Sequence, residues 1–391
     1  MRYLIVCDYS LTFLGGAQTA LVRQAEALSS QGATVAIMAP DVSGIALSKG
    51  IVKIEPPKTA TLPGIQLPLF RQTPKLLNFV AGVLDDFAPD AVLSHSEFAL
   101  VNATIATAKA LSIPTMHTVH TFFWHTPKFA AVMAPLGKAF YRHATGLPLT
   151  RLKLAQNPMD SALRNMTLTT CIHADVTLSP SAHQAEKLRA AGVTNVEVVS
   201  NVTESKGTTS KLPGGKVLKL AWIGRFSPEK RLDVALDGVA QAKTLLESAG
   251  LDSTQLELHI AGGSAREGTD HVWHGTLTAD GVSKLLSSSH ALVMTSLGFD
   301  NQPMVILEAF AHGRPVILCD PVLGKEFGDA AVLSSTPDSE GLGRLLFELV
   351  DGKVDLSSNA AAASKAASGA TAKVHASRLA AMTKTLQGKA Q

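Results

Sequence analysis

The chain has 391 residues, which is too long for one ordinary hydrophobic core and suits two α/β domains of about 150 to 200 residues each. Hydrophobic residues make up 46% and charged residues 17%, so the composition argues against disorder throughout the chain. The 35 lysines and arginines barely exceed the 32 acids, and this balance argues against a dedicated nucleic-acid-binding protein.

The cysteines and the apolar runs indicate the cellular compartment of the protein. Cys7, Cys171 and Cys319 are widely separated, which favours a reducing compartment and argues against structural zinc or an iron–sulfur cluster. The apolar run before Asp8 is too short for a signal peptide and predicts a first strand. Since no stretch reaches about 18 apolar residues, membrane contact is expected only at the surface. We expect a cytoplasmic protein that is at most peripheral to the inner face of a membrane.

Short apolar runs alternate with helical stretches from end to end, a pattern typical of βαβ units around parallel sheets. The first crossover helix begins near Ala17, and Gly32 is a suitable residue just beyond its end. The predicted strands are 3–8, 34–39, 91–94, 114–118, 175–178 and 196–199 in the first half, and 217–223, 256–261, 290–295, 315–318 and 330–333 in the second.

A change of composition after residue 203, to Thr, Ser, Lys and Gly, predicts a linker. The expected organisation is a Rossmann-like domain over 1–203, a linker over 204–216, a second Rossmann-like domain over 217–356 and a helical tail over 357–391 with a break at Gly369. Ligands of open parallel sheets bind beyond the carboxyl ends of strands, so the residues that follow each strand are the candidates for function.

Gly15 and Gly16 follow the first predicted strand and precede a helix. Paired glycines let a ligand approach the backbone, and a helix N-terminus favours an anion. The alternative is an ordinary turn. The segment matches neither the dinucleotide-binding glycine fingerprint nor a P-loop.

His117, His120 and His125 cluster with three aromatic residues around the end of strand 114–118. Without a nearby carboxylate or a helical His-Glu-x-x-His pattern, a metal site is the poorer interpretation. A packing role is the alternative for any single histidine. His120 is the functional candidate, because its place after the strand exposes it.

The first strand of the second domain leads into Gly224, Arg225 and Lys230. Two cations beside helix N–H groups could hold a diphosphate and stabilise the charge that grows on it as it leaves. The alternative is a solvated basic loop in which Glu229 is the partner of the cations.

Residues 295–315 contain a helix in which Pro303 fits the first position and Gly313 the position after the end. Glu308 is its only charge and is expected to be buried, where it needs hydrogen-bond donors such as ribose hydroxyls. The N–H groups of Met304 and Val305 could receive phosphate or sugar oxygens. The alternative is a structural glutamate.

No acid occurs from Phe98 to Pro158, a stretch with six positive charges and many apolar residues. Such a segment suits an anionic bilayer or a phosphorylated acceptor, and an ordinary solvated helix is the alternative. The six cations are Lys109, Lys128, Lys138, Arg142, Arg151 and Lys153.

Taken together, these segments resemble the retaining family 4 of the GT-B glycosyltransferases, over nearly the whole chain. Gly15-Gly16 resembles the family's glycine loop, and 118–121 its sugar-proximal histidine segment. Gly224-Arg225 with Lys230 resembles its diphosphate-binding residues. Residues 300–308 resemble its Glu-x7-Glu motif, but Asp300 replaces the first Glu, and Asn301-Gln302-Pro303 replaces a Gly-Phe-Gly that lines the donor-sugar pocket.

The resemblance implies two facing Rossmann-like domains with a cleft between them, the acceptor bound mainly by the first and the donor by the second. It implies retaining, metal-independent transfer from a UDP- or GDP-sugar, with no cofactor, to a lipid-linked, glycan or small-molecule acceptor. The implied catalytic residues are His120, Arg225, Lys230 and Asp300. The implied donor-binding residues are Gly15, Gly16, Gly224, Arg225, Lys230, Asn301, Gln302, Met304, Val305 and Glu308. The alternatives are an epimerase or phosphorylase of similar architecture, a non-catalytic sugar-binding module and, less favoured, a nicotinamide dehydrogenase.

Overall fold

The computed structural model describes residues 1–12, 15–57, 59–62, 67–203, 211–264 and 270–390. The chain divides into two compact units, one of Met1–Val202 with Ala372–Gln391 and one of Thr203–Thr371. The predicted linker 204–216 falls largely outside the described residues.

Fifteen strands and thirteen helices are described. Residues 1–202 form β1 (Arg2–Val6), α1 (Gly16–Ser30), β2 (Thr34–Met38), β3 (Val52–Ile54), β4 (Thr61–Leu62), β5 (Leu67–Pro68), α2 (Pro74–Phe87), β6 (Ala91–Ser94), α3 (Ala99–Ala110), β7 (Thr115–Thr118), α4 (Ala134–Thr145), α5 (Pro158–His173), β8 (Val176–Ser179), α6 (Ala182–Ala190) and β9 (Val196–Val198). Residues 203–371 form β10 (Leu218–Ile223), α7 (Leu232–Ser248), β11 (Leu256–Ala261), β12 (Val272–Gly275), α8 (Ala279–Ser288), β13 (Ala291–Met294), α9 (Met304–Ala311), β14 (Val316–Leu318), α10 (Pro321–Phe327), β15 (Ala331–Leu333), α11 (Ser339–Val350) and α12 (Ser357–Ser368), and α13 (Ala372–Ala390) follows.

Each unit is built on one parallel sheet, as the alternation of strands and helices predicted. The first has the strand order β3-β2-β1-β6-β7-β8-β9 and the second β12-β11-β10-β13-β14-β15. All eleven predicted strands are present within two residues at each end. The sequence analysis missed β3, β12 and the two-stranded antiparallel pair β4–β5, which are short or carry polar residues.

The central strands read as continuous apolar runs because helices cover both faces of each sheet. In β1, Tyr3 and Ile5 pack into one core cluster, whereas Leu4 and Val6 pack into the cluster on the opposite face. In β10, Leu220 and its neighbour Ala221 divide in the same way. The alternation of strand side chains therefore supplies both cores of each unit.

The predicted separate tail over 357–391 is not one region. Its helix breaks at Gly369, as expected, but α12 belongs to the second unit and α13 to the first. Leu379 of α13 is fully buried in the core beside β1 and β2. Burial of this apolar residue fixes α13 on the first unit.

Candidate functional site

In the second unit the site lies where the strand order reverses. β10 and β13 are neighbours in the sheet although β11 and β12 separate them in sequence. Loops at such a reversal diverge and leave a crevice at the carboxyl ends of the strands. The loop after β10 carries Gly224, Arg225 and Lys230, and the loop after β13 carries Asp300 and leads into α9.

Lys230 and Asp300, proposed separately from sequence, form an ion pair. Lys230 Nζ lies 2.6 Å from Asp300 Oδ1, and the two side chains are 19% and 11% exposed. The ammonium also lies 5.4 Å from the centre of the Phe299 ring, within cation–π distance. A half-buried ammonium held on two sides is fixed in place before any anion arrives.

The backbone of Lys230 is held as firmly as its side chain. The Thr295 hydroxyl donates to Lys230 O at 2.8 Å, and Trp222 Nε1 donates to that hydroxyl at 3.1 Å. Next in the chain, Arg231 has a positive φ of 49° and donates to Thr295 O and Pro337 O at 3.2 and 2.7 Å. Arg231, which the sequence analysis assigned no role, fastens the loop after β10 to the end of β13.

The second carboxylate oxygen of Asp300 distinguishes this residue from a purely structural ion-pair partner. Oδ2 is buried and has no hydrogen-bond partner among the described residues. A buried acceptor without a donor costs about 1 to 3 kcal/mol. A ligand hydroxyl that donated to Asp300 Oδ2 would remove that cost.

Arg225 differs from Lys230, because its side chain is 67% exposed and its Nη2 lies 3.6 Å from Glu229 Oε1. The Ser227 hydroxyl donates to the same Glu229 oxygen at 2.6 Å. Partial burial raises the pKa of Glu229, but the Ser227 hydroxyl, a backbone hydrogen bond and the charges of Arg225 and Lys230 outweigh it, and the pKa falls below its ordinary value. Glu229 is thus the partner of Arg225, as the alternative interpretation expected.

The glycines that this site requires are not the ones singled out from sequence. A Cβ on Gly224 would make only an ordinary contact with the Trp222 ring. A Cβ on Gly262, which has a φ of 116°, would lie 2.1 Å from Gly224 O, and one on Gly263 would lie 2.3 Å from the Phe226 ring. The Gly262-Gly263 pair directly after predicted strand 256–261 was the signal that the sequence analysis overlooked.

The helix after Asp300 begins one residue later than predicted, with Pro303 as its N-cap and Met304 as its first residue. The expectation that Glu308 is buried is wrong, since it is only partly buried, like Met304 and Val305. These three residues share one face of α9, and the opposite face supplies the core. Asn301 is buried and Gln302 partly buried just before the helix.

In the first unit the strand order reverses between β1 and β6. Gly15 is the N-cap of α1 with an extended backbone, and Gly16 is its first residue. Neither has a positive φ, so the backbone conformation there does not demand glycine. Leu14, which precedes them, lies outside the described residues.

His120 follows β7, and its Nε2 lies 2.7 Å from Nδ1 of His95, which follows β6. The two rings stack with their centres 5.0 Å apart. Burial lowers the pKa of His120 to about 4, so the ring is neutral at pH 7. His117 is buried with its Nδ1 3.0 Å from Ser94 Oγ, and His125 is exposed, so these histidines have separate environments.

Two buried carboxyl groups beside these strand ends were not predicted as site residues. Asp8 accepts hydrogen bonds from the N–H groups of Phe98 and Leu100, at the start of α3, and burial raises its pKa to about 6. Burial, reinforced by the charge of Asp8, raises the pKa of Glu97 to about 8. Polar residues 95–97 directly after predicted strand 91–94 were the available signal.

The acid-free segment 98–158 divides in the structure. Phe122 and Tyr141 join the core, and Lys109 pairs with Asp175 at 3.4 Å. Phe129 and Val132, in contrast, are 78% and 80% exposed. A groove of about 770 Å³, which we call the basic groove, has no acid among its lining residues. Its lining includes Lys138, Arg142, Arg151 and Lys153.

No helix in the described part of the chain combines the length and the apolar character needed to cross a membrane. No three His, Cys, Asp or Glu side chains of those residues converge as a metal site.

Models of known families match both units. The one described as Glycosyltransferase Family 4 matches residues 14–204, and the one described as Glycosyl transferases group 1 matches residues 218–351.

Two curated proteins and one solved structure illustrate the similarity. The chain is 26% identical over 270 residues to the sulfoquinovosyl transferase SQD2 of Arabidopsis thaliana, covering 64% of this chain and 47% of that protein. It is 30% identical over 162 residues to the lipopolysaccharide 1,6-galactosyltransferase of Escherichia coli (strain K12), covering 40% and 45%. The chain thus spans about half the length of these relatives. Anabaena HepE in complex with UDP matches 98% of this chain and 100% of its own at 14% identity, with a TM-score of 0.66, which confirms the predicted fold class.

Proposed function

This chain belongs to the GT-B glycosyltransferases, with family 4 in its first half and group 1 in its second, and we propose that it transfers a sugar from a nucleotide-sugar to an acceptor with retention at the anomeric carbon. The observation that carries the proposal is the pairing of Lys230 with Asp300 at the reversal point of the second sheet, directly before α9. Lys230 provides a cation for a diphosphate, and Asp300 beside it provides a hydrogen-bond acceptor for a sugar hydroxyl.

The main requirement of the reaction is to stabilise the negative charge on the departing diphosphate. When the anomeric C–O bond breaks, negative charge grows on the diphosphate, and a fixed donor that strengthens with it contributes about 3 kcal/mol to lowering the barrier. Lys230 is such a donor, and Arg225 becomes one when it leaves Glu229. The N–H groups of Met304 and Val305, the first two residues of α9, have no partner within the helix and suit phosphate oxygens. We expect these groups to support transfer in the presence of EDTA.

The sugar itself is expected to contact Asp300, and a catalytic role for His120 in the first unit stays a prediction. The unsatisfied Oδ2 of Asp300 suits a donating hydroxyl. Asp300 Oδ1 is engaged by Lys230 at 2.6 Å, and we propose no dedicated nucleophile of the protein. We therefore expect the acceptor substrate to attack on the same face as the departing diphosphate. Glu308, on the same face of α9 as Met304 and Val305, is the candidate for the ribose hydroxyls.

The nucleotide is a UDP or GDP carrier, and UDP is favoured because HepE, which shares the fold, is described in complex with UDP. Thermal shift with UDP and GDP measures this choice, since a ligand at 100 times its Kd adds about 2.7 kcal/mol of stability. No shift with either nucleotide would contradict the proposal.

Product analysis separates the proposal from its alternatives. Incubation with a UDP-sugar and an acceptor should yield free UDP and a glycoside with the donor's anomeric configuration, as read from the anomeric proton coupling by NMR. An isomerised UDP-sugar would indicate an epimerase, and a sugar phosphate formed from glycan and inorganic phosphate would indicate a phosphorylase. Binding without any product would indicate a sugar-binding module.

We further propose that the acceptor is presented at an anionic membrane surface, on the cytoplasmic side. The basic groove and the exposed Phe129 and Val132 support this, since an acid-free basic surface with apolar side chains matches an anionic bilayer. The three cysteines are free thiols, which suits a reducing compartment.

Flotation with vesicles tests the membrane proposal. The chain should float with vesicles that contain phosphatidylglycerol and not with neutral ones. Each removed cation weakens binding by about 1 kcal/mol, so Lys138→Ala with Arg142→Ala should lower the partition about 30-fold. Lys109→Ala with Lys187→Ala removes the same charge outside the groove and should bind like the parent chain. No binding to either vesicle would end the membrane proposal.

A further inference from the structure

A chain of hydrogen bonds runs through the first unit from α13 to His120. His375 Nδ1 lies 3.1 Å from Ser200 O, and His375 Nε2 lies 2.9 Å from Gln24 Nε2. Gln24 Oε1 lies 2.8 Å from His95 Nε2, and His95 Nδ1 lies 2.7 Å from His120 Nε2. We call His375, Gln24, His95 and His120 the histidine chain. Its first three members are at most 5% exposed.

The direction of every hydrogen bond in the histidine chain follows from its two carbonyl acceptors. Ser200 O can only accept, so His375 carries its proton on Nδ1 and accepts at Nε2 from the Gln24 amide nitrogen. The Gln24 oxygen can also only accept, so His95 carries its proton on Nε2. His95 Nδ1 is then an acceptor, and His120 must donate from Nε2.

This assignment requires neutral rings, and the environment provides them. Burial lowers the pKa of His375 to about 4, and burial followed by the neighbouring histidines lowers the pKa of His95 well below its usual value. His120, with a pKa of about 4, is likewise neutral at pH 7. One tautomer of each ring therefore satisfies the whole chain, and in that tautomer Nδ1 of His120 is an acceptor.

Packing alone does not account for a histidine at position 375. Leu379 already anchors α13 in the core, and the Thr383 hydroxyl contacts the Tyr3 hydroxyl at 3.4 Å. An apolar side chain at 375 would pack there without the desolvation that a buried imidazole requires. The histidine and Gln24 instead complete a polar path from α13 to a residue at the strand ends.

We propose that His375, Gln24 and His95 are positioning residues that hold His120 in its Nε2–H tautomer, so that Nδ1 remains a hydrogen-bond acceptor during sugar transfer. The proposal rests on the glycosyltransfer function for the role of His120 in catalysis, but the tautomer of His120 does not depend on that function. Helix α13 then contributes to the site in the first unit, because its His375 helps to orient His120.

The decisive experiment is NMR of the full chain labelled with ¹⁵N-histidine, in which two-bond nitrogen–proton correlations identify the tautomer of each ring. The parent chain should show His120 and His95 as single Nε2–H tautomers and His375 as Nδ1–H. Gln24→Met, which keeps the shape of the side chain but removes both polar atoms, should leave His95 and His120 as tautomer mixtures. A single unchanged tautomer of His120 in Gln24→Met would overturn the proposal.

A second set of variants acts at α13. His375→Leu should disturb His120 in the same spectrum, whereas His375→Gln, which keeps one donor and one acceptor, should restore its single tautomer. Thr383→Val is the matched control, because it removes a buried hydroxyl of α13 outside the histidine chain. If Thr383→Val disturbed His120 as much as His375→Leu, the effect would be one of helix docking and the positioning role would be refuted.

Kinetics add a readout that a packing defect would not give. With His120 misoriented, kcat should fall about tenfold in His375→Leu while KM for the donor stays within twofold, because orientation matters most in the transition state. Recovery of kcat in His375→Gln supports the proposal, and equal loss in both variants opposes it. If the parent chain transfers no sugar, the glycosyltransfer function fails, and the tautomer spectra alone decide on the histidine chain.

Discussion

The two units present sites of opposite character. In the second unit, the charged cluster of Arg225, Glu229, Lys230 and Asp300 is partly exposed and consists of ion pairs. In the first unit, the histidine chain is neutral and almost entirely buried. Charge held near the surface can respond to an incoming diphosphate, whereas a buried neutral network fixes the direction of single hydrogen bonds. We infer that the second unit stabilises charge on the donor diphosphate, whereas the first unit holds His120 in one orientation.

The largest expected effect comes from the fixed cation of the charged cluster. Lys230→Ala should lower kcat/KM about 100-fold, because it removes a preorganised donor to the departing diphosphate. Initial rates of UDP release and thermal shift with UDP measure the loss.

The control is Lys243→Ala, which removes a lysine of the same unit that lies 3.9 Å from Asp270 and should leave the rate unchanged. Because Lys230→Ala leaves Asp300 without its partner, urea unfolding of Lys230→Ala and of the double variant with Asp300→Asn shows whether the unpaired carboxylate lowers the free energy of unfolding. Turnover at the parent rate in Lys230→Ala would remove the charged cluster from the reaction.

The same contrast explains what could be predicted from sequence. The continuous apolar runs of the strands specified both sheets, because parallel strands buried on two faces leave that pattern. Arg225 and Lys230 follow one strand within a few residues. They were therefore predicted from the tendency of ligands to bind beyond the carboxyl ends of parallel strands. The pairing of Lys230 with Asp300 was not predicted, because it depends on β10 and β13 being neighbours in the sheet.

The histidine chain lay beyond sequence reasoning for the same reason. Its members stand at positions 24, 95, 120 and 375, on two helices and after two strands. No local spacing relates these positions, and only the packing of α13 on the first unit brings His375 to Gln24. His120 was predicted because it follows a strand, whereas no sequence pattern identifies Gln24 or His375 as its neighbours.

A smaller effect is expected from the exposed cation of the charged cluster. Arg225→Ala should lower kcat/KM about tenfold, less than Lys230→Ala, because Arg225 is mostly solvated and must leave Glu229 to bind phosphate. Arg344→Ala is a matched control, since Arg344 is also exposed and pairs with Glu340 four residues away. If Arg225→Ala lost as much activity as Lys230→Ala, solvent exposure would not determine how much each cation contributes to the rate, and the two cations would be equivalent.

The smallest effect tests the buried neutral side of the comparison through stability. The pKa of Glu97 is about 8 in the folded chain and about 4.3 for an unfolded glutamate, so between these values only the folded state keeps the proton. Rising pH therefore lowers the free energy of unfolding, by about 1.4 kcal/mol per pH unit at most. The buried histidines act in the opposite sense, but only below about pH 6.5, where unfolded histidine gains its proton. Urea titrations from pH 6.5 to 8 should show the decline in the parent chain and in Glu186→Gln, an exposed control, but not in Glu97→Gln. The same decline in Glu97→Gln would mean that Glu97 is already ionised in the folded chain, and its inferred neutrality beside the strand ends would be wrong.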